Sequence, residues 1–342
     1  MPHPSIPSSS FIRRRDLTIE EYVDGVLAGD RAILGRAITL IESVRPEHEK
    51  LAEQVLVRLL PHSGHAMRIG ITGIPGAGKS TFIEALGRRL TGDGHQVAVL
   101  AVDPSSSTSG GSILGDKTRM IELSADPRAF IRPSPSSGTL GGVTRKTRET
   151  LVVCEASGFD VVIIETVGVG QSETMVDDMV DFFLVLMVSG AGDELQGIKR
   201  GILELADLIA VNKCDGENTT RAALAAREYA TALHLMRPKH AGWTAQSQTC
   251  SALTGTGLAE IWEAIVKHRE LLSASGVFGQ RRQQQLVSWM WSMIDDRLRN
   301  AFRKHQAVAA LTPALEHALA EGEVTAARAA TTLLEAFGIG AG

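Results

Sequence analysis

A glycine-rich segment at residues 73–81 constrains the possible folds more than any other feature of the sequence. Its residues are Gly73, Ile74, Pro75, Gly76, Ala77, Gly78, Lys79, Ser80 and Thr81. The segment follows the apolar run MRIGIT and precedes the helical pattern TFIEALGRRL, which is the context of a phosphate-binding loop. Its glycines would let backbone N–H groups surround a polyphosphate, Lys79 would reach the outer phosphates, and Ser80 would ligate Mg²⁺.

Short apolar runs alternate with helical patterns from Met67 onwards. The runs that predict strands are MRIGIT, QVAVLAVD, DVVIIE, DFFLVLMVS, DLIAVN and QSQTCSA. Such runs, separated by helices, indicate a mostly parallel sheet that is covered on both faces. We therefore predict an α/β fold, a P-loop NTPase with a mostly parallel central sheet flanked by helices.

Helical patterns lie on both sides of this central region. Thr18 and Glu21 are spaced as a capping box, Asp30 is placed to cap a second helix, and Pro46 suits a first helical turn. After about residue 275 the pattern is helical again, with apolar bulk from Trp289, Met290, Trp291, Met293, Leu298 and Phe302.

The predicted organisation has four parts. They are a tail at 1–17, a helical N-terminal extension at 18–62, a P-loop domain at 63–274 and a C-terminal helical arm at 275–342. The aromatic and methionine side chains of the arm make it a candidate subunit interface, with burial against its own domain as the alternative.

Composition excludes several classes of partner. The formal net charge of −4 provides no positive field of the kind that nucleic acids select. No uninterrupted apolar run reaches the length of about 18 residues that a membrane span needs. The three cysteines, Cys154, Cys214 and Cys250, form no CxxC pair, which argues against a disulfide framework or a thiolate zinc site. We expect a cytoplasmic protein that binds neither nucleic acid nor membrane.

A second motif predicts the base of the nucleotide. Asn212, Lys213, Cys214 and Asp215 follow the predicted strand DLIAV, where guanine-specific P-loop proteins carry Asn-Lys-x-Asp. Asp215 can accept hydrogen bonds from guanine N1–H and N2–H, whereas adenine would set an acceptor against the carboxylate. The Lys213 stem would pack over the base. The segment whose backbone would contact the guanine oxygen is Ser251, Ala252 and Leu253.

Carboxylates end two of the predicted strands. Asp103 ends QVAVLAV and Glu165 ends DVVIIE, at the sheet edge where ligands of parallel sheets bind. Their position predicts ligands of Mg²⁺ or of its waters. Asp116, in a Gly/Ser-rich loop, is a further metal candidate, with a solvated loop residue as the alternative. Gly168 would sense the γ-phosphate through its N–H, so the predicted catalytic residues are Lys79, Asp103, Glu165 and Gly168.

The residue after Gly168 predicts slow hydrolysis. Val169 stands where fast GTPases place a glutamine that orients the attacking water. Valine cannot orient water, so turnover should depend on Asp103, on Gln171 or on a group from a partner. Three cations could supply positive charge, with a solvated surface position as the alternative for each: Arg119, Lys146 and Lys199.

Five segments are together more specific than the phosphate loop alone. They are GIPGAGKST, AVDPSSSTSGGSILGDKTRM, ETVGVGQSE, VSGAGDELQGIK and NKCD. Over about residues 18–335 the sequence resembles the MeaB family, GTPases that act as chaperones of adenosylcobalamin-dependent methylmalonyl-CoA mutase. The resemblance places Asp103, Asp116 and Glu165 on Mg²⁺ and switch positions, and residues 189–199 on a further switch loop that communicates with the mutase. It also implies a dimerisation arm.

The function that this resemblance implies is a homodimeric GTPase that binds the mutase, couples GTP hydrolysis to adenosylcobalamin loading and protects the mutase from inactivation. We expect GTP to order residues 104–120, 165–175 and 189–199 and hydrolysis to release them. A metal-insertion GTPase of the hydrogenase or urease kind is one alternative, but the ten histidines are scattered and the nearest pair is His62 and His65. A kinase that passes on the γ-phosphate is another, but no acceptor site is visible.

Overall fold

The structure, a computed structural model, describes residues 17–102, 120–133, 140–166, 172–190 and 200–340. Within these residues one sheet of seven strands has the order β3-β2-β4-β1-β5-β6-β7, and every pairing is parallel. The strands are β1 (Met67–Gly73), β2 (Val97–Val102), β3 (Ala129–Pro133), β4 (Val161–Thr166), β5 (Phe182–Val188), β6 (Leu208–Asn212) and β7 (Gln246–Thr249).

Helices flank this sheet and extend the chain at both ends. The N-terminal helices are α1 (Ile19–Leu27), α2 (Arg31–Glu42) and α3 (Pro46–Leu59). Those of the central region are α4 (Lys79–Gly92), α5 (Ile121–Ala125), α6 (Leu140–Ala156), α7 (Ser172–Asp177), α8 (Arg200–Leu205), α9 (Thr219–His234) and α10 (Leu258–Ala274). The C-terminal helices are α11 (Val277–Lys304), α12 (Gln306–Ala320) and α13 (Ala326–Phe337), and short 3₁₀ helices lie at Leu60–His62 and Gly216–Asn218.

The predicted α/β fold with a parallel sheet is therefore confirmed. The predicted helix starts are confirmed as well. Thr18 and Glu21 form the capping box, with Thr18 N donating to Glu21 Oε2 (2.9 Å) and Glu21 N to Thr18 Oγ1 (3.2 Å). Asp30 Oδ1 caps α2 by accepting from two backbone N–H groups, and Pro46 lies in the first turn of α3.

The core has two layers, one on each face of the sheet. Alternate residues of β4 show this, because Val162 and Ile164 join one apolar cluster and Val161 and Ile163 join the other. The first cluster includes buried side chains of the N-terminal helices, namely Leu34, Ile38 and Ile41. The second includes side chains of α4 and α10, namely Phe82, Leu86, Ile261 and Ile265. The N-terminal helices thus share a core with the sheet.

One strand was missing from the sequence prediction. β3 has the sequence AFIRP and pairs with β2, from Val97 opposite Ala129 to Ala101 opposite Pro133. Its short apolar run contains Arg132, whose guanidinium pairs with Glu42 of α2. Among the described residues, no helix has both the length and the apolar character that crossing a bilayer requires.

Candidate functional site

The glycine-rich segment joins the central strand β1 to α4. β1 ends at Gly73, between β4 and β5, and α4 begins at Lys79. A β-carbon on Gly73 would lie 2.3 Å from the carbonyl oxygen of Leu186 in β5. Gly78 has a φ of 84° and packs against Asn212, whose Nδ2 would be 3.0 Å from an added β-carbon. Glycine is needed at both positions because no other residue lets the loop lie this close to its neighbours.

Replacing Gly73 with alanine is expected to lower the free energy of unfolding by at least about 3 kcal/mol, the upper part of the usual cost of overpacking. The atom in the way belongs to the backbone of β5 and cannot turn aside. Urea denaturation measures the loss. Gly76→Ala is the matched control, since a β-carbon there meets nothing within 4 Å and adds only the strain of a φ of 80°, about 1–2 kcal/mol. Equal losses in the two variants would contradict this explanation.

The Lys79 side chain folds back over its own loop. Its ammonium group donates hydrogen bonds to Gly73 O (2.9 Å) and Ile74 O (3.4 Å). Burial lowers the pKa of Lys79, and the negative charges of Glu165 and Glu173 oppose that shift. The ammonium group therefore lies at the mouth of the loop, where phosphate oxygens can replace the two carbonyl partners.

Ser80 and Glu165 supply neighbouring oxygen atoms. Ser80 Oγ donates a hydrogen bond to Glu165 Oε1 at 3.2 Å, and Glu165 is buried at the carboxyl end of β4. A hydroxyl and a carboxylate are the hard oxygen ligands that Mg²⁺ takes, so this pair fits the predicted metal. The remaining predicted metal and switch residues lie outside the described part of the chain, and so do two of the candidate cations: Asp103, Asp116, Gly168, Val169, Gln171, Arg119 and Lys199.

Asn212 connects the phosphate loop with the predicted base pocket. Its side chain is almost completely buried, and its Nδ2 donates to the carbonyl oxygen of Ala77 at 2.8 Å. Its Oδ1 accepts from the backbone N–H of Ala252 at 3.0 Å. One amide thus holds together three motifs that are far apart in the sequence.

The other residues of the base pocket surround Asp215. Ser251 Oγ donates to Asp215 Oδ2, and Cys214 N donates to Cys250 O at 2.9 Å. Lys213 has a φ of 62°, the left-handed conformation that is uncommon for residues other than glycine. A carboxylate offers about four lone-pair positions, so Asp215 can accept from Ser251 and still accept from the guanine edge. Leu253 is 80% exposed, so its side chain has little packing to fix it.

Lys146 has a structural role that the sequence did not predict. Its ammonium group donates to the carbonyl oxygens of Ile41 and Ser43, the latter at 3.1 Å. These carbonyls belong to the end of α2, where a lysine satisfies carbonyl groups that lack helical partners. Lys146 is therefore neither a solvated surface cation nor a side chain aimed at the phosphate loop.

A further cluster contains the buried residues Asp207 and His268 and the partly buried His240. The sequence did not predict it, because these residues lie far apart along the chain. Asp207 Oδ1 is 3.7 Å from Nε2 of each histidine. Burial lowers the pKa of both histidines to about 4. Arg281 Nη1 lies 2.7 Å from His240 Nε2, and Lys239 Nζ lies 3.4 Å from Asp207 Oδ2. Since these two cations occupy the surroundings in which a metal ion would bind, we interpret the cluster as a buried Asp207 paired with Lys239, with two uncharged histidines beside it.

Known proteins are similar over most of the chain. The family model described as "Methylmalonyl Co-A mutase-associated GTPase MeaB" matches residues 34–307. GTPase ArgK of Escherichia coli is 51% identical over 285 residues, which are 83% of this chain and 86% of that protein. The mitochondrial methylmalonic aciduria type A homolog of Mus musculus is 46% identical over 329 residues, 93% of this chain and 79% of that protein. A crystal structure of a LAO/AO transport system kinase covers 94% of this chain and 98% of its own, with 40% identity and a TM-score of 0.76.

Proposed function

The chain belongs to the MeaB family of mutase-associated GTPases, and from this premise we propose that it is a GTP-hydrolysing chaperone of an adenosylcobalamin-dependent methylmalonyl-CoA mutase. It is a P-loop GTPase, like the relatives that carry that name. The observation that carries the nucleotide assignment is the Asn212 amide, which joins the phosphate loop to the guanine motif. The family description supports the mutase as the partner. It does not favour the metal-insertion and kinase alternatives.

The proposed chemistry assigns a role to each described site residue. Lys79 binds the outer phosphates and stabilises the charge that develops on the transferred phosphoryl group. Ser80 and Glu165 would hold Mg²⁺ or its waters, together with Asp103 and Asp116. When bound, Mg²⁺ neutralises charge on the phosphate oxygens. Gly168 is the proposed sensor of the γ-phosphate, through its backbone N–H.

The proposed contact with the mutase uses residues 189–199. The first residue of this segment is tied to the guanine motif, because Ser189 Oγ donates to Asn218 Oδ1 at 2.5 Å. Asn218 Nδ2 in turn donates to the carbonyl oxygen of Lys213 at 2.7 Å. These hydrogen bonds link the start of the segment to the guanine motif. They support the proposal that the segment responds to the nucleotide, as a switch that signals to a partner must.

The proposed homodimer uses the arm. Helix α11 carries a row of exposed apolar side chains, namely Leu286, Val287, Met290, Trp291, Ile294 and Leu298. A groove of about 390 Å³ lies between this helix, α3 and α6. An exposed apolar row of this kind is typical of a protein interface. We propose that cobalamin loading and protection of the mutase are carried out by this dimer.

The proposal is tested by GTP and ATP turnover of the purified chain with increasing amounts of methylmalonyl-CoA mutase. We expect slow turnover of GTP, little turnover of ATP, and a severalfold, saturable rise in GTP turnover as mutase is added. An adenosylcobalamin enzyme that acts on no acyl-CoA is the matched control and should give no rise. GTP turnover that is unchanged at a saturating concentration of mutase would refute the proposed chaperone role. It would not contradict the assignment as a GTPase.

A further inference from the structure

The end of helix α7 is bound by side chains of the arm. Arg281 Nη2 donates to Asp177 Oδ1 (3.0 Å) and to Asp177 O (3.2 Å). Gln285, which is also on α11, donates from Nε2 to the carbonyl oxygens of Val180 (2.8 Å) and Asp177 (3.4 Å). Two residues of the arm therefore bind the segment between α7 and β5 directly.

Two further arginines contribute to the contact between the arm and the segment that joins α7 to β5. Arg148 of α6 donates to Asp178 O (2.7 Å) and to Gln285 O (3.0 Å), so it joins the segment to the arm. Arg282 forms a two-point pair with the buried Asp181, at 2.8 and 2.6 Å. We call the four residues Arg148, Arg281, Arg282 and Gln285 the clasp. Asp177 is also paired with Lys239, so several charged partners hold the end of α7. Because these ion pairs are largely buried, breaking them is costly and the clasp resists deformation.

Helix α7 packs against β1, the strand that leads into the phosphate loop, because a β-carbon on Gly70 of β1 would lie 3.0 Å from Val176 Cγ1 of α7. The other end of the helix carries a buried carboxylate. Glu173, in the first turn, is 3% exposed. Burial lowers the pKa of Lys79, and Glu173 is one of the two carboxylates that oppose this shift, so its charge acts on the lysine that binds phosphate. A γ-phosphate next to Lys79 brings negative charge towards Glu173. This repulsion disfavours positions of α7 that keep Glu173 close to the phosphates.

Helix α7 is short enough to transmit a displacement of its first turn to its last residue. Six residues span about 9 Å at 1.5 Å per residue. Its C-terminal residue, Asp177, is itself held by Arg281, so a shift of the first turn is resisted or transmitted at the clasp. A ligand moves a conformational equilibrium by its differential interaction with the two states, and the γ-phosphate supplies such a difference.

We propose that α7 and the clasp couple the phosphates bound at Lys79 to the position of the arm helix α11. The GTP-bound and GDP-bound proteins then hold the arm in different ways. The coupling depends on GTP binding but not on the mutase. A failed test of the coupling is therefore distinguishable from a failure of the proposed chaperone role.

Hydrogen–deuterium exchange of residues 286–304 tests the coupling. The chain is compared with GDP bound and with a non-hydrolysable GTP analogue bound. We expect exchange rates that differ by at least about fivefold, the lower limit of common allosteric coupling. Arg281→Gln should abolish the difference while both nucleotides remain bound, as a fluorescent nucleotide analogue would report. Arg299→Gln, an exposed arginine on the same helix, is the matched control and should keep it.

Gln285→Met provides a second test if Arg281→Gln does not fold. It removes the amide donor, keeps a similar side-chain volume and leaves the ion pairs of the clasp in place, so we expect it to reduce the difference. Equal exchange with the two nucleotides in the unmodified chain would overturn the proposal. So would a full difference that persists in every folded clasp variant while both nucleotides still bind.

Discussion

Replacing Lys79 with alanine is expected to lower kcat for GTP hydrolysis by at least about 100- to 1000-fold, the usual effect of removing one preorganised donor from a charged transition state. The ammonium group lies at the mouth of the phosphate loop, on the carbonyl oxygens of Gly73 and Ile74. In the transition state, negative charge spreads over the oxygens of the transferred phosphoryl group, where this ammonium group acts. Phosphate release at saturating GTP measures the loss.

Two comparisons make the result specific. Lys267→Ala removes an exposed lysine on α10 and should leave kcat unchanged. The melting temperature of Lys79→Ala should stay close to that of the unmodified chain, because the lysine is only half-buried and its ammonium group donates to two backbone carbonyls. Hydrolysis at the unmodified rate would show that the phosphate site has been assigned to the wrong segment.

The sheet could be predicted where both of its faces are covered. β2 and β4 read as apolar runs because every residue in them is buried. β3 escaped prediction because Arg132 interrupts its pattern, and the residue that pairs with this arginine, Glu42, lies 90 positions earlier in the chain. A local pattern cannot show that a distant carboxylate makes an arginine acceptable in a strand.

The sequence indicated the motifs of the candidate site, because each motif is a run of adjacent residues. It could not indicate the contacts between motifs. The sequence indicated Asn212 as a base-pocket residue, but only the fold shows that its amide bridges Ala77 and Ala252. The clasp was missed for the same reason as β3, since Arg281 and Asp177 are 104 positions apart. Helical spacing predicted the apolar character of the arm and could not say which residues are covered. Met290 and Trp291 are exposed, whereas Trp289 and Met293 are half-buried.

Replacing Asp215 with asparagine is expected to weaken GDP and GTP binding relative to xanthine nucleotides by about 10⁴-fold, the scale of discrimination that a mismatched hydrogen-bonding group produces. The carboxylate accepts from guanine N1–H and N2–H, whereas an amide sets an N–H donor against one of them. Xanthine has a carbonyl oxygen in place of the 2-amino group and can accept from that donor. Calorimetric titration with GDP, xanthosine diphosphate and ADP measures the three affinities.

Glu217→Gln is the matched control for this change, because it neutralises an exposed carboxylate two residues later in the same turn and should leave all three affinities as they are. Ser251 donates to Asp215 Oδ2, and an asparagine oxygen can accept the same hydrogen bond, so the loop after β7 should keep its position in the variant. A change of base preference can then be attributed to the guanine edge. GDP affinity that is unchanged in Asp215→Asn would place the base elsewhere, and Asn212 would then hold the loops together without defining a guanine pocket.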